Sequence, residues 1–171
     1  GLAEQAGLNA DQEKALFNAL QRKAQPEIAL LVKEYNLPED SRAMLLALSE
    51  LNGGVDVLAK AEKILAKAST DVQLALQTLK SIANMAGQRL PAVSINFDLA
   101  ELRGYDYHTG LVFAAYQAGS ARALAMGGRY DGIGEDFGHA QPATGFSLDL
   151  KDMVANSLTT SHEQDAITVK W

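Results

Sequence analysis

The stretch Leu76-Gln77-Thr78-Leu79-Lys80-Ser81-Ile82-Ala83-Asn84-Met85-Ala86-Gly87, followed shortly by Val93-Ser94-Ile95-Asn96-Phe97-Asp98, decides the fold class. In its first part Leu76, Leu79, Ile82 and Ala83 recur at three- and four-residue intervals, one apolar face of an α-helix. In its second part Val93, Ile95 and Phe97 alternate with Ser94, Asn96 and Asp98, the period-2 signature of a half-buried strand. The switch near Gly87 predicts an α+β chain, with a helical module over residues 1–88 and a sheet over 89–171.

Toward the N-terminus helix punctuation repeats. Asn9 followed by Gln12 forms a capping box, Pro26 and Pro38 stand where a first turn tolerates proline, and Gly53-Gly54 and Gly87 read as stops. Five helices are expected, at about 10–24, 27–35, 39–51, 55–68 and 71–86. The last three are alanine-rich and short, so their stability should come from mutual packing. Toward the C-terminus glycine accumulates: residues 104–145 hold nine of the 14 glycines. There Leu111, Phe113 and Ala115 continue the alternation past a turn at Thr109-Gly110. Ala121 to Met126 form a further apolar run, and Phe146 with Leu148 another. The connections are too short for the roughly dozen residues of a parallel crossover, so antiparallel pairing follows. Residues 149–158 read as a closing helix, and Ile167, Val169 and Trp171 as a last short strand.

Composition narrows the function. The chain of 171 residues is 47% apolar and 21% charged, an ordinary globular balance with no membrane-length uncharged run. It has no cysteine, which excludes a disulfide framework, thiolate metal ligation and a Cys nucleophile, and the cytoplasm is the expected compartment. A formal charge of -6 offers no basic field for a phosphate backbone, so neither nucleic acid nor membrane is expected as a partner. The chain begins at Gly1 without a signal-peptide pattern, so its start is expected to be internal to a longer protein.

Two clusters carry candidate chemistry. Gly127-Gly128-Arg129-Tyr130-Asp131-Gly132-Ile133-Gly134 is rich in glycine and polar groups, yet lacks the Lys-Ser/Thr ending of a phosphate loop. It reads either as a ligand-binding loop or as a plain glycine-rich hairpin turn. Arg103-Gly104-Tyr105-Asp106-Tyr107-His108-Thr109-Gly110 gathers a guanidinium, a carboxylate, two phenols and an imidazole. On an extended segment Arg103, Tyr105 and Tyr107 share one face and Asp106 and His108 the other, so a bulge is needed before all could line one pocket. The bland reading is a solvated strand face. His108, His139 and His162 lack metal-ligand spacing, and Ser147 lacks the second glycine of a nucleophile elbow. Asp149, Lys151 and Asp152 most simply cap the following helix.

Taken in order, Leu102-Arg103-Gly104-Tyr105-Asp106-Tyr107-His108, Gly127-Gly128-Arg129-Tyr130-Asp131-Gly132 and Pro142-Ala143-Thr144-Gly145-Phe146-Ser147 closely resemble the histidine-specific segments of histidyl-tRNA synthetases. The same pattern marks a paralogous family, the regulatory subunits of ATP phosphoribosyltransferase, which resembles this chain over almost its whole length. The resemblance implies a class II aminoacyl-tRNA synthetase-like antiparallel sheet and a histidine site. In that site Arg103 would meet the carboxylate, Tyr107 and His108 the imidazole, and Gly128, Tyr130 and Gly145 would line the floor. His108 departs from the synthetases' second tyrosine, and its donor or acceptor state depends on tautomer.

A second departure separates the two families. Synthetases continue into Gly-Leu-Glu-Arg, whose arginine holds the ATP triphosphate, where this chain has Asp149-Leu150-Lys151-Asp152. Placing an anion where a cation faces phosphate is a swing of several kcal/mol in a partly dry site. The resemblance therefore implies a regulatory, non-catalytic subunit that needs no cofactor. Its implied partners are the short-form catalytic subunit of ATP phosphoribosyltransferase, in a hetero-octamer, with L-histidine as feedback ligand. It further implies that the synthetase dimer motifs, and the self-association they support, lie upstream of Gly1. The alternative is a piece of a histidyl-tRNA synthetase.

Overall fold

The computed structural model describes residues 1–102, 109–118, 122–132, 138 and 141–158. The chain divides into two compact units, Gly1–Arg103 and Gly104–Trp171. The boundary expected from the period change lay at 88/89, whereas residues 97–102 belong to the helical unit. The Leu99 N–H donates to the Leu51 carbonyl, Ala100 is buried, and Leu99 and Leu102 pack against the helical cores.

The helical unit runs α1 (Leu2–Gln5), α2 (Ala10–Gln21), α3 (Gln25–Glu34), α4 (Glu39–Leu48), α5 (Asp56–Ile64) and α6 (Thr70–Arg89). The Asn9 side chain accepts from the Gln12 N–H while the Gln12 side chain accepts from the Asn9 N–H, the reciprocal cap expected for α2. Pro26 sits in the first turn of α3, and Pro38 precedes α4. One core gathers Leu16, Leu20, Ile28, Val32 and Leu45 from the inner faces of α2, α3 and α4. A second gathers Met44, Val57, Leu58, Ala61, Leu76 and Ala83 from α4, α5 and α6. α4 therefore serves both, through adjacent residues on its surface, and Leu2 of α1 packs against both as well.

Two sequence expectations fail here, and one helix is added. Gly87 does not stop α6, which continues to Arg89 with the Leu90 N–H still bonded to the Ala86 carbonyl, and ends just before Pro91. The strand expected over Val93, Ile95 and Phe97 contracts to β2 (Phe97–Asp98), paired antiparallel with β1 (Asn52–Gly53). Pro91 has no N–H to give, Val93 spends its own on the Leu90 carbonyl, and the partner strand is only two residues long, so the alternation has nothing further to pair with. The helix at Leu2–Gln5 was not expected; its Gln5 side chain donates to the Lys67 carbonyl and accepts from the Ser69 N–H, contacts more than 60 residues away in sequence.

The second unit holds β3 (Val112–Tyr116), β4 (Ala123–Arg129) and β5 (Thr144–Leu148) in a three-stranded sheet of that order, antiparallel throughout, followed by α7 (Leu150–Leu158). β4 is central, with Gly128 opposite Val112 on one side and Gly145 on the other. The glycine pair Gly127-Gly128 thus lies inside a strand and is not a hairpin turn. The strand expected at residues 167–171 lies outside the described residues.

Candidate functional site

Residues directly opposite in an antiparallel sheet share a face, so the register sorts the side chains of the sheet unit. Phe113, Gly127 and Phe146 stand in one row on one face. The two rings meet across the glycine, centroids 6.5 Å apart and tilted by 54°. A Cβ at Gly127 would lie 2.6 Å from the Phe146 Cβ, so only glycine lets the aromatic pair close over the central strand. Phe146 nevertheless remains 64% exposed.

The opposite face carries Val112, Gly128 and Gly145 in the next row, with Tyr130 two residues beyond Gly128. Gly128 is buried, and Gly145 and Tyr130 are half-buried. The phenol lies across Gly145: a Cβ there would overlap the phenolic oxygen and stand 3.2 Å from Cζ. Backbone holds this arrangement from both sides, since the Tyr130 N–H donates to the Ala143 carbonyl at 2.9 Å. The three expected floor residues, Gly128, Tyr130 and Gly145, are therefore brought together on one face. Arg103, Tyr107 and His108 fall outside the described residues, as do His139 and His162.

Arg129 and Asp131 flank Tyr130 and turn to each other. The Arg129 Nε donates to both Asp131 oxygens, at 3.0 and 2.9 Å. The hydrogen bond from Arg129 holds the Asp131 carboxyl below the usual carboxylate range, with smaller help from the Ala143 backbone and the Thr109 hydroxyl against some desolvation. Reciprocally, Asp131 raises the Arg129 guanidinium above its ordinary value. The Asp131 N–H donates to the Thr109 Oγ1 at 2.9 Å. The Thr109 N–H donates to the Arg129 carbonyl, and the Arg129 N–H to the Leu111 carbonyl, so the three residues Thr109 to Leu111 together face the one residue Arg129. The Arg129 stem packs on Gly110, where a Cβ would stand 3.3 Å from its Cδ. The sequence treated Arg129, Tyr130 and Asp131 as one cluster of ligand groups and Thr109-Gly110 as a turn. The structure links Arg129 and Asp131 through Thr109 and leaves Tyr130 on the other face.

Below the sheet, Asp149 caps α7: its Oδ1 accepts from the Asp152 N–H at 3.0 Å, and its carbonyl from the Met153 N–H. A shallow depression of about 480 Å³ lies here between β4, β5 and the start of α7, bordered by Ala125, Ser147, Asp149 and Lys151. Among the described residues no group of three or more His, Asp or Glu side chains could hold a metal ion.

The chain matches the family model described as histidyl-tRNA synthetase over residues 1–153. The chain belongs to the histidyl-tRNA synthetase family. Within that family it is 53% identical over 171 residues to a Pseudomonas aeruginosa protein named ATP phosphoribosyltransferase regulatory subunit. It is 49% identical over 170 residues to a protein of the same name from Nitrosococcus oceani. The matches cover 100% and 99% of this chain but 42% of each relative, so the chain spans well under half the length of these curated relatives. Among solved structures it is similar to an ATP phosphoribosyltransferase regulatory subunit/histidyl-tRNA synthetase from Bacillus halodurans, with a TM-score of 0.77 at 26% identity, covering 95% of this chain and 42% of that one. A histidine–tRNA ligase subunit from Alicyclobacillus acidocaldarius shares the fold with a TM-score of 0.68 at 24% identity, over 93% of this chain and 51% of that one. The α+β, synthetase-like fold class is thereby established for this family member.

Proposed function

We propose that this chain is part of a regulatory, non-catalytic subunit of ATP phosphoribosyltransferase, working with the short-form catalytic subunit in the first step of histidine biosynthesis. The observation that carries the proposal is identity of 49 to 53% to regulatory subunits across essentially the whole chain. In this reading L-histidine is the feedback ligand. Arg103 meets its carboxylate, Tyr107 and His108 face its imidazole, and Gly128, Tyr130 and Gly145 form the floor. The glycine and phenol face described above supports that floor, because Gly128 and Gly145 expose backbone there beside the Tyr130 ring. Histidine would favour one quaternary arrangement of a hetero-octamer through differential affinity.

Asp152 supports the non-catalytic part. It is the third residue of α7, and in this reading, which takes the correspondence from the sequence resemblance alone, its carboxylate stands in for the ATP-holding arginine of the synthetases and would repel a triphosphate. In this proposal residues 1–88 supply most of an insertion-like helical module, which the chain completes with residues 97–102, and the histidine site lies within 89–171. Self-association belongs to the full-length protein, and the complex works in the cytoplasm. Among the described residues no helix is long and apolar enough to cross a membrane.

The test is calorimetric titration of histidine into the full-length protein, wild type beside Arg103→Ala, together with transferase assays in the presence of the catalytic subunit. Wild type should bind histidine and activate the transferase, and Arg103→Ala should lose histidine affinity and feedback sensitivity. Unchanged affinity in the variant would overturn the site. ATP–pyrophosphate exchange with histidine should stay at background; clear exchange would establish a histidyl-tRNA synthetase instead.

A further inference from the structure

We propose that Arg129, Asp131 and Thr109 are positioning residues that set the Tyr130 phenol over the Gly145 floor and do not themselves contact the bound amino acid. This deepens the histidine-site reading and rests on it. Successive residues of a strand project to opposite faces, so the Arg129 and Asp131 side chains stand on the face away from Tyr130. Their charges are spent on each other in a two-oxygen pair, which leaves no uncompensated cation to seek a ligand carboxylate. The pair is tied into the sheet at three further points. The Asp131 N–H reaches the Thr109 hydroxyl, the Arg129 carbonyl takes the Thr109 N–H, and the Arg129 stem lies on Gly110.

The consequence is geometric. With Arg129 and Asp131 both fixed, the peptide units on either side of Tyr130 are fixed, and with them the direction of its Cα–Cβ bond, which leaves the ring a few rotamers to choose among. The Ala143 carbonyl, one residue before β5, holds the same point. Only the absence of a Cβ at Gly145 lets the phenol lie in that direction. A ligand ring or amine resting on the floor would thus meet a hydroxyl already in place, and the ordering cost is met by the fold before binding.

The experiment incorporates 3-fluorotyrosine into the full-length protein and assigns the residue 130 fluorine resonance by its loss in Tyr130→Phe. Resonance position without ligand and histidine affinity by calorimetry are then measured for Asp131→Asn, Thr109→Val, Thr109→Ser, Arg129→Lys and Thr144→Val. Asp131→Asn and Thr109→Val should move the resonance and weaken histidine by about tenfold, the loss expected when one oriented hydrogen bond is misplaced. Thr109→Ser, which keeps the hydroxyl, should restore both. Thr144→Val, opposite Arg129 but outside the pair, should move neither. A resonance unmoved in Asp131→Asn and Thr109→Val overturns the proposal, as does one moved equally by Thr144→Val. Arg129→Lys lowering affinity with the resonance unmoved would make Arg129 a ligand contact and also overturn it. If wild type binds no histidine the ligand assignment falls, and the resonance alone decides the positioning role.

Discussion

Gly145→Ala places a methyl group where the Tyr130 phenolic oxygen already lies, and the response follows from which atoms it meets. Against the oxygen the overlap is severe, so the ring must swing away or β5 must separate from β4. Against the ring carbons the distances are 3.2 and 3.3 Å, only a few tenths of an ångström inside ordinary carbon–carbon contact. Forced overpacking of this kind costs about 1–3 kcal/mol. The hydroxyl is thus most of the obstacle, and Tyr130→Phe in the same chain should relieve it. The single Tyr130→Phe change should cost about 1 kcal/mol or less, as for one polar group at a half-exposed position. The double variant should then be more stable than the sum of the singles by about 1–2 kcal/mol, within the range of coupling between touching residues. Native-state hydrogen exchange at the β4 amides reads the opening free energy of the sheet apart from that of the helical unit. Additive costs, within about 0.5 kcal/mol, would refute the claim that the phenol lies on Gly145.

Other expectations concern both units. Leu58, fully enclosed in the second helical core, should cost about 2–5 kcal/mol when cut to alanine, whereas Leu30→Ala, at a position 67% exposed, should stay within about 0.5 kcal/mol, both read by urea unfolding of the helical signal. Lys23 holds left-handed backbone after α2 and pairs with Asp98 at 2.7 Å. Lys23→Gly loses the pair but relieves the backbone, so it should match or exceed wild type, while Lys23→Ala should fall below it by up to about 1 kcal/mol. Asp98→Ala should cost more than Lys23→Ala, because the Asp98 carboxylate also accepts the Ala100 N–H. For Asp131 the folded pKa is depressed, so its contribution is complete above the unfolded value near 3.9 and is lost as pH falls through the folded value. A carboxyl carbon titration should place its midpoint below that of Asp131 in urea-unfolded protein, and Arg129→Gln should bring the two together.

Features governed by near neighbours in sequence were legible. The Asn9–Gln12 cap, the inner face of α6, and the alternation through Phe113 and Phe146 each follow from residues a few positions apart, and each is present. What escaped depends on distant partners. α1 is only four residues long and is held through Gln5 to Lys67 and Ser69, a contact no local period encodes. Val93 and Ile95 have a strand's alternation but, among the described residues, no strand paired with them. Gly127-Gly128 looks like a turn until Phe113 and Phe146 are known to close across it. At the site the same rule holds: Arg129 and Asp131 are two apart and their pairing on one face could have been read from strand periodicity, but Thr109 lies 22 residues earlier and enters only through the register.

The alternation of Arg129, Tyr130 and Asp131 also explains why the motif needs all three residue types in that order. A strand delivers its odd and even positions to different environments at no conformational cost, so a charged pair can brace one face while a neutral phenol serves the other. Were Arg129 and Tyr130 exchanged, the guanidinium would stand on the glycine face without its carboxylate, and Asp131 would be left beside the Phe113–Phe146 face without its cation, with only the Ala143 backbone and the Thr109 hydroxyl. Both displaced charges would then be stripped of compensation, the costly arrangement for ions near apolar surface. The same placement keeps the net charge of the bracing pair at zero. A ligand on the Tyr130 face therefore meets hydrogen-bond geometry set by the pair but little of its field, and the attraction for a carboxylate is left to Arg103 in the proposed site.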